Sequence, residues 1–181
     1  MVGFDKNHVY RGRAGVFDVA MGHMNNAAFL SHAELARWEM TAENGLLEHM
    51  FRQKAAYVVT GNAIRYRREI KPLLRRFEID TRVTRLTDRD IWMSHNFRHA
   101  GTEDDQDRLV RAQVVVKAVV IGGGSVLDPR VFMADACNLD PTVIEKLSLP
   151  TEDTVENDIQ AFIDLEEVQR LSAAEDDKLQ Q

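Results

Sequence analysis

Residues 17–40 read FDVAMGHMNNAAFLSHAELARWEM, and this stretch decides the fold. It begins as the end of a strand, passes through a polar turn and continues as a helix. Asn25 or Asn26 is a natural N-cap, because an amide oxygen there can accept from the first backbone N–H groups of the helix. Further along, Glu34 and Arg37 lie on one side of the helix with small apolar residues. We therefore expect the rest of the chain to cover this helix.

The composition is that of a globular protein. The chain has 181 residues, of which 44% are hydrophobic and 29% charged, and this length suits one sizeable core. Its single cysteine, Cys137, excludes an internal disulfide and is interpreted as a packing residue. No segment approaches the ~18 apolar residues of a membrane span, and residues 1–10 contain no apolar run typical of a signal peptide. We expect a soluble, cytoplasmic protein.

Charge is distributed unevenly along the chain. The net charge is −6, yet residues 151–181 contain ten acidic and two basic residues, so residues 1–150 carry a net charge of +2. The acidic tail is interpreted as a solvated helix. The body is not basic enough to indicate a nucleic-acid partner, which usually needs a clear stripe of Lys and Arg.

Strand-like runs precede and follow the long helix. A first strand is predicted over 8–17 and a short helical piece over 46–53, and the later strands are predicted over 55–68, 76–86, 91–99 and 109–121. Asp128 and Asp140 each precede a proline, which predicts two helix starts, and a last helix is predicted over 152–173. This order predicts an α+β fold in which the long helix lies across an antiparallel sheet.

That order, with this turn, resembles the hotdog fold of acyl-CoA and acyl-carrier-protein thioesterases. The pattern around 4-hydroxybenzoyl-CoA thioesterase relatives reads Gly-His-Val/Met-Asn-Asn-Ala-x-Tyr-Leu-x-x-x-Glu-x-Ala-Arg. The chain matches it from Gly22 to Arg37, with Phe29 in place of tyrosine. The His-Met-Asn-Asn version is especially similar to the thioesterase superfamily member six group. The resemblance implies a hotdog domain over residues 1–125, followed by a helical, acidic extension over 126–181.

The resemblance also implies an activity. Hotdog thioesterases hydrolyse acyl-CoA to the free acid and CoA, at sites that form at a dimer interface. We therefore expect an acyl-CoA thioester hydrolase that forms a homodimer or tetramer. No cofactor is expected beyond the coenzyme A of the substrate.

The strand before the turn departs from the family. Family enzymes carry an aspartate four positions before the histidine, where this chain has Val19, and the plant enzymes carry an asparagine where it has Met21. Asp18 lies one residue away from the expected position. A shift of one residue turns a strand side chain to the opposite face unless a bulge restores it. Asp18 is therefore either the displaced acid or a strand-end cap.

The candidate catalytic residues are Asp18, His23 and Glu34. Glu34 could serve as general base or nucleophile if burial raised its pKa, whereas the charge of Arg37 would lower it; a structural ion pair is the alternative. His23 could hold water or the thioester carbonyl, or it could only fix the helix start.

Substrate contacts are expected at the helix start and in a basic cluster. Backbone N–H groups near Asn26 and Ala27 can hold a developing oxyanion. The arginines of the basic cluster, Arg67, Arg68 and Arg75, could bind the phosphates of coenzyme A. Solvated strand ends are the alternative for the arginines. The candidate binding residues are Asn25, Asn26, Ala27, Arg67, Arg68 and Arg75.

Three further histidines receive other interpretations. His95 and His99 share a strand face but lack a third ligand at convincing spacing, so no metal site is predicted. His32 is interpreted as a surface or dimer-contact residue.

Two other functions stay open. A catalytically inactive acyl-CoA binding or scaffold protein would keep the turn and lose the acid, as Val19 and Met21 favour. A hotdog dehydratase acting on 3-hydroxyacyl substrates fits the turn less well.

Overall fold

The fold is described by a computed structural model that covers residues 7–70, 76–100, 109–150 and 154–179. The chain divides into two units, residues 1–149 and residues 150–181. The helix of the second unit, α5, runs over Thr154–Leu179. No helix in these described ranges is both long and apolar enough to cross a membrane.

The first unit combines strands and helices as predicted for an α+β protein. Its strands are β1 (His8–Arg13), β2 (Val19–Ala20), β3 (His23–Met24), β4 (Ala55–Tyr66), β5 (Arg76–Leu86), β6 (Ile91–His99), β7 (Ala112–Gly122) and β8 (Ser125–Leu127). Its helices are α1 (Asn26–Glu43), α2 (Leu46–Gln53), α3 (Pro129–Cys137) and α4 (Pro141–Ser148), with a 3-10 turn over Val16–Asp18.

One antiparallel sheet carries most of the strands. Its order is β1-β5-β6-β7-β4, and β8 pairs with β7, while β2 and β3 form a separate two-stranded hairpin. Strand β5 alternates between buried and less buried positions, so that it buries Phe77, Ile79, Thr81 and Val83 on one face. The long helix therefore has an apolar sheet face on which to pack.

Helix α1 lies on this sheet through small side chains. Ala33 and Ala36 are fully buried, and small residues at these positions let the helix approach the strands closely. Phe29 makes an edge contact with Phe97 of β6, with ring centroids 5.1 Å apart. Gly45, with a φ of 84°, then separates α1 from α2.

A second apolar cluster joins the later helices to the sheet. Phe132 and Met133 of α3 pack with Leu46 and Met50 of α2 and with Val120 of β7. Cys137 packs at the margin of this cluster, and burial raises the pKa of its thiol to about 12. The thiol is therefore protonated at neutral pH, as a packing residue requires.

The predicted helix starts at Asp128 and Asp140 are confirmed. The Asp128 side chain accepts from the Arg130 N–H at 2.9 Å, and that of Asp140 accepts from the Thr142 N–H at 2.8 Å. The first strand is shorter than predicted, because the chain leaves the sheet after Arg13 and enters the 3-10 turn. The short strand β8, which follows a turn at Gly123 and Gly124, was not predicted.

Candidate active site

The hairpin β2–β3 places Asp18 beside the start of α1. Its two turn residues, Met21 and Gly22, both have positive φ angles, 50° and 88°, as tight hairpin turns require. The Asn25 N–H donates to the Asp18 carbonyl at 2.7 Å, and the Met24 N–H donates to the Ile70 carbonyl at 3.1 Å. Backbone hydrogen bonds therefore hold the acid at the helix N-terminus.

The Asp18 carboxylate has two partners. Its Oδ2 accepts from the Gly15 N–H at 2.7 Å and lies 3.0 Å from His32 Nε2. Because an ionised carboxylate only accepts, Nε2 carries the proton. Partial burial would raise the pKa of Asp18, but the Gly15 hydrogen bond and the His32 side chain together hold it below its usual value. Asp18 is therefore ionised at neutral pH.

His32 is buried between α1 and the sheet. Its Nδ1 lies 3.5 Å from the Tyr10 hydroxyl, and its ring meets the Phe77 ring edge-on with centroids 4.8 Å apart. The interpretation of His32 as a surface residue is therefore wrong. The sequence contained a signal, because His32 lies four residues from Ala28 and from Ala36, both of them buried on the same helix face.

Gly12 of β1 leaves space for the Phe77 ring, which contacts His32. A Cβ atom at Gly12 would lie 2.5 Å from Cζ of Phe77, closer than two carbon atoms can approach. The absence of a side chain there lets the Phe77 ring fill the space beside β1. The ring in turn supports the imidazole of His32.

Asn25, rather than Asn26, is the N-cap of α1. Its side-chain oxygen accepts from the Ala28 N–H at 2.8 Å, and its amide donates to the Phe17 carbonyl at 3.2 Å. Both ends of this side chain are therefore engaged within the protein.

The next two residues lie exposed in the first helical turn. Asn26 contributes its carbonyl, which accepts from the Tyr66 hydroxyl at 3.1 Å. A helix offers no acceptor of its own to N–H groups in its first turn, so those of Asn26 and Ala27 are directed outward from the helix end. These two donors are the ones that could stabilise an oxyanion.

Glu34 lies on another side of α1 from His32. Side chains two positions apart on a helix, such as His32 and Glu34, point about 200° away from each other around the helix axis. No contact within the described residues joins Glu34 to Asp18. Glu34 is half exposed, pairs with Arg37 and accepts from Trp38 Nε1 at 3.0 Å. The structure thus places it in a helix ion pair.

Arg37 also contacts His95 in the core. Its Nη1 lies 3.3 Å from His95 Nε2, and His95 Nδ1 lies 2.9 Å from the Thr81 hydroxyl. Since a guanidinium only donates, His95 accepts at Nε2 and carries its proton at Nδ1. Burial, and next the charge of Arg37, lowers the pKa of His95 to about 3. Both nitrogens of this neutral imidazole are engaged.

The remaining candidates occupy separate places. His23 is half-buried on β3, opposite Ala20 in the hairpin. Arg67 and Arg68 follow the end of β4, with exposed side chains and with backbone N–H groups that donate to the Arg111 carbonyl. Arg75 lies outside the described residues.

Comparison with known proteins identifies relatives in sequence. The model of the thioesterase-like superfamily matches residues 13–147. The chain is 32% identical over 118 residues to Protein THEM6 from Xenopus laevis, a match that covers 65% of this chain and 54% of the relative. It is 31% identical over 80 residues to Protein THEM6 from Drosophila melanogaster, covering 44% and 41%. The chain therefore spans about half the length of these curated relatives or less.

Solved structures share the fold at low identity. A 1,4-dihydroxy-2-naphthoyl-CoA thioesterase from Synechocystis superposes with a TM-score of 0.61 at 14% identity, covering 74% of this chain and 98% of that one. A hypothetical protein from Staphylococcus aureus, solved in complex with CoA, gives 0.65 at 9% identity, covering 83% and 91%. The predicted hotdog fold is confirmed, and the match over residues 13–147 shows that the chain belongs to the thioesterase-like superfamily.

Proposed function

We propose that this protein hydrolyses acyl-CoA thioesters at the N-terminus of α1. The observation that carries the proposal is the ionised carboxylate of Asp18, held beside the helix start by the Gly15 N–H and His32. Thioester hydrolysis needs a base that activates water and donors for the oxyanion, and this place in the fold offers both groups. Membership of the superfamily supports a thioester as the substrate class.

In the proposed reaction Asp18 acts as the general base. Its Oδ2 is engaged by Gly15 and His32, so Oδ1 takes a proton from a water molecule whose oxygen attacks the thioester carbonyl. The N–H groups of Asn26 and Ala27 stabilise the oxyanion. Collapse of the tetrahedral intermediate breaks the carbon–sulfur bond, and the departing thiolate takes up the proton from Asp18. The products are the free acid and CoA.

The nucleotide part of coenzyme A would bind away from the reacting carbonyl. Arg67 and Arg68 are exposed just past β4, and charge-assisted hydrogen bonds to phosphate are among the strong ones available to arginine. Tyr66, the last residue of β4, contacts the Asn26 carbonyl, so these arginines follow a strand end that lies at the helix start. This continuity supports their assignment to the substrate.

The site also supports the proposal of a homodimer or tetramer. Phe17 and Met21, on either side of the loop that carries Asp18, are 98% and 97% exposed, and β4 lies at an edge of the sheet. We expect a second copy of the chain to cover this exposed apolar surface.

Sedimentation equilibrium should give a mass at least twice that of the 20.6 kDa chain. Phe17→Ser should raise the dissociation constant, whereas Val131→Ser, which changes an exposed valine on α3, should not. A monomer at micromolar concentration would contradict this proposal.

Acyl-CoA binding without turnover is the second candidate. Val19 stands where family enzymes carry their aspartate, and Asp18 lies on the 3-10 turn just before β2. A protein of this kind would bind the thioester at the helix start and leave it intact.

A thiol-release assay separates the two functions. We expect free CoA to appear at a rate proportional to protein concentration from at least one of a short, an aromatic and a long acyl-CoA. Calorimetric titration with an acyl-CoA thioether, which cannot be hydrolysed, measures binding in parallel. Binding without release would favour the second candidate over the first. Neither binding nor release across the panel would contradict both.

A further inference from the structure

Three side chains that can ligate metals meet between β1 and the C-terminal half of α1. His8 Nε2 lies 3.4 Å from Glu39 Oε1, and His8 Nδ1 lies 3.1 Å from Glu43 Oε2. One ligand atom from each residue lies within 4.8 Å of the other two. Glu39 and Glu43 are one turn apart on the helix, and His8 faces them from the edge strand.

The imidazole of His8 is an unusual feature of this cluster. The residue is only 6% exposed, and its Nε2, although 3.4 Å from Glu39 Oε1, makes no hydrogen bond. A buried nitrogen without a partner is costly, and such exceptions in a folded protein require an explanation. Two carboxylates one turn apart on a helix add like-charge repulsion. A bound cation would remove both costs at once.

We propose that His8, Glu39 and Glu43 form a zinc site with a water molecule as the fourth ligand. One imidazole nitrogen and two carboxylate oxygens are a ligand set that zinc accepts. In tetrahedral coordination at ~2.0–2.2 Å the ligand atoms lie about 3.4 Å apart. Those of the cluster lie within 4.8 Å of one another, and Glu39 and Glu43 face different ring nitrogens of His8, so at least one glutamate must change rotamer to share one zinc ion. Their side chains are 45% and 47% exposed, which leaves room for that change.

Binding at this site would tie the edge strand β1 to α1. That link lies apart from the proposed hydrolysis, since Asp18 and the helix N-terminus lie at the other end of α1. The inference therefore does not rest on the proposed function. The competing explanation is a direct pairing of His8 with both carboxylates, without any metal.

Zinc titration of the full chain tests the proposal. After dialysis against a chelator, we expect one equivalent of Zn²⁺ to bind by calorimetry and to raise the unfolding temperature. Co²⁺ should give the visible absorption of a tetrahedral site. Glu39→Gln and Glu43→Gln should each weaken binding at least tenfold, and His8→Ala should abolish it. His49→Ala and Glu48→Gln, which remove comparable groups on α2, should leave it unchanged.

The glutamine variants keep the test independent of folding, because both glutamates are on the surface and the change conserves shape. Zinc binding that persists unchanged in both variants would overturn the proposal. So would the lack of any binding to the wild-type chain. Thiol release from acyl-CoA is measured without added zinc, so failure of the proposed hydrolysis would leave this result untouched.

Discussion

Asp18→Asn should lower kcat for acyl-CoA hydrolysis by about 10²–10⁴-fold, the range expected when a general base is removed. The amide keeps the shape of the carboxylate, and its oxygen can still accept from Gly15 and His32. The fold should therefore persist while the ability to take a proton from water is lost. Initial rates of thiol release, with circular dichroism and the unfolding midpoint alongside, measure both effects.

Two further variants make the assignment specific. Asp88→Asn changes an exposed aspartate in the β5–β6 turn and should leave the rate unchanged. Glu34→Gln tests the other candidate acid, which the structure places in the ion pair with Arg37. A loss as large in Glu34→Gln as in Asp18→Asn, or full activity in Asp18→Asn, would contradict the proposed role of Asp18.

The same assignment has a pH signature. Because hydrogen bonds hold the pKa of Asp18 below its usual value, the acidic limb of kcat/KM should lie below the ordinary aspartate pKa of about 3.9. His32→Phe removes one of those hydrogen bonds and should move the limb to higher pH. An unchanged profile in that variant would show that His32 does not tune the carboxylate.

His95 should make the protein strongly sensitive to acid. The folded state holds its pKa at about 3, whereas an unfolded histidine titrates near 6.5. As the pH falls below 6.5 the unfolded chain takes up a proton that the folded chain refuses, so folding stability decreases. The free energy of unfolding should fall by up to ~1.4 kcal/mol per pH unit from about pH 6 to pH 3. Urea denaturation at a series of pH values measures this slope.

A glutamine at this position isolates the effect. In His95→Gln the side-chain oxygen can accept from Arg37 and the amide can donate to Thr81, yet the group does not titrate. The slope of stability against pH should therefore be shallower by up to the same amount. His49→Gln, which removes a histidine on α2, is the matched control. Equal slopes for the wild-type and His95→Gln chains would mean that His95 is not held neutral.

The sequence predicted the main elements because each has a local cause. Alternation defined β5, the proline after Asp128 marked the start of α3, and the polar turn marked the start of α1. The β2–β3 hairpin was not predicted, because strands of two residues are too short for a period to be visible. Contacts between the hairpin and the body decide its position instead.

The candidate site was predicted only in part, because some of its contacts are local in sequence and others are not. Motif residues near the turn indicated the helix start, and the structure brings Asp18 there. The roles of His32 and His8 depend on partners far away along the chain. His32 meets Tyr10 across 22 positions, and His8 meets Glu39 across 31, so no local spacing indicates either contact.

The hairpin between the 3-10 turn and α1 also bears on how such a protein can evolve. Because Asp18 sits outside the main sheet, a shift of the acid by one residue changes no strand register of that sheet. The segment that carries Asp18 can therefore change by substitution or by a small insertion, while the main sheet that supports it stays constant. Lineages built on this architecture could lose an acid at one position and regain one at the next without passing through an unfolded ancestor.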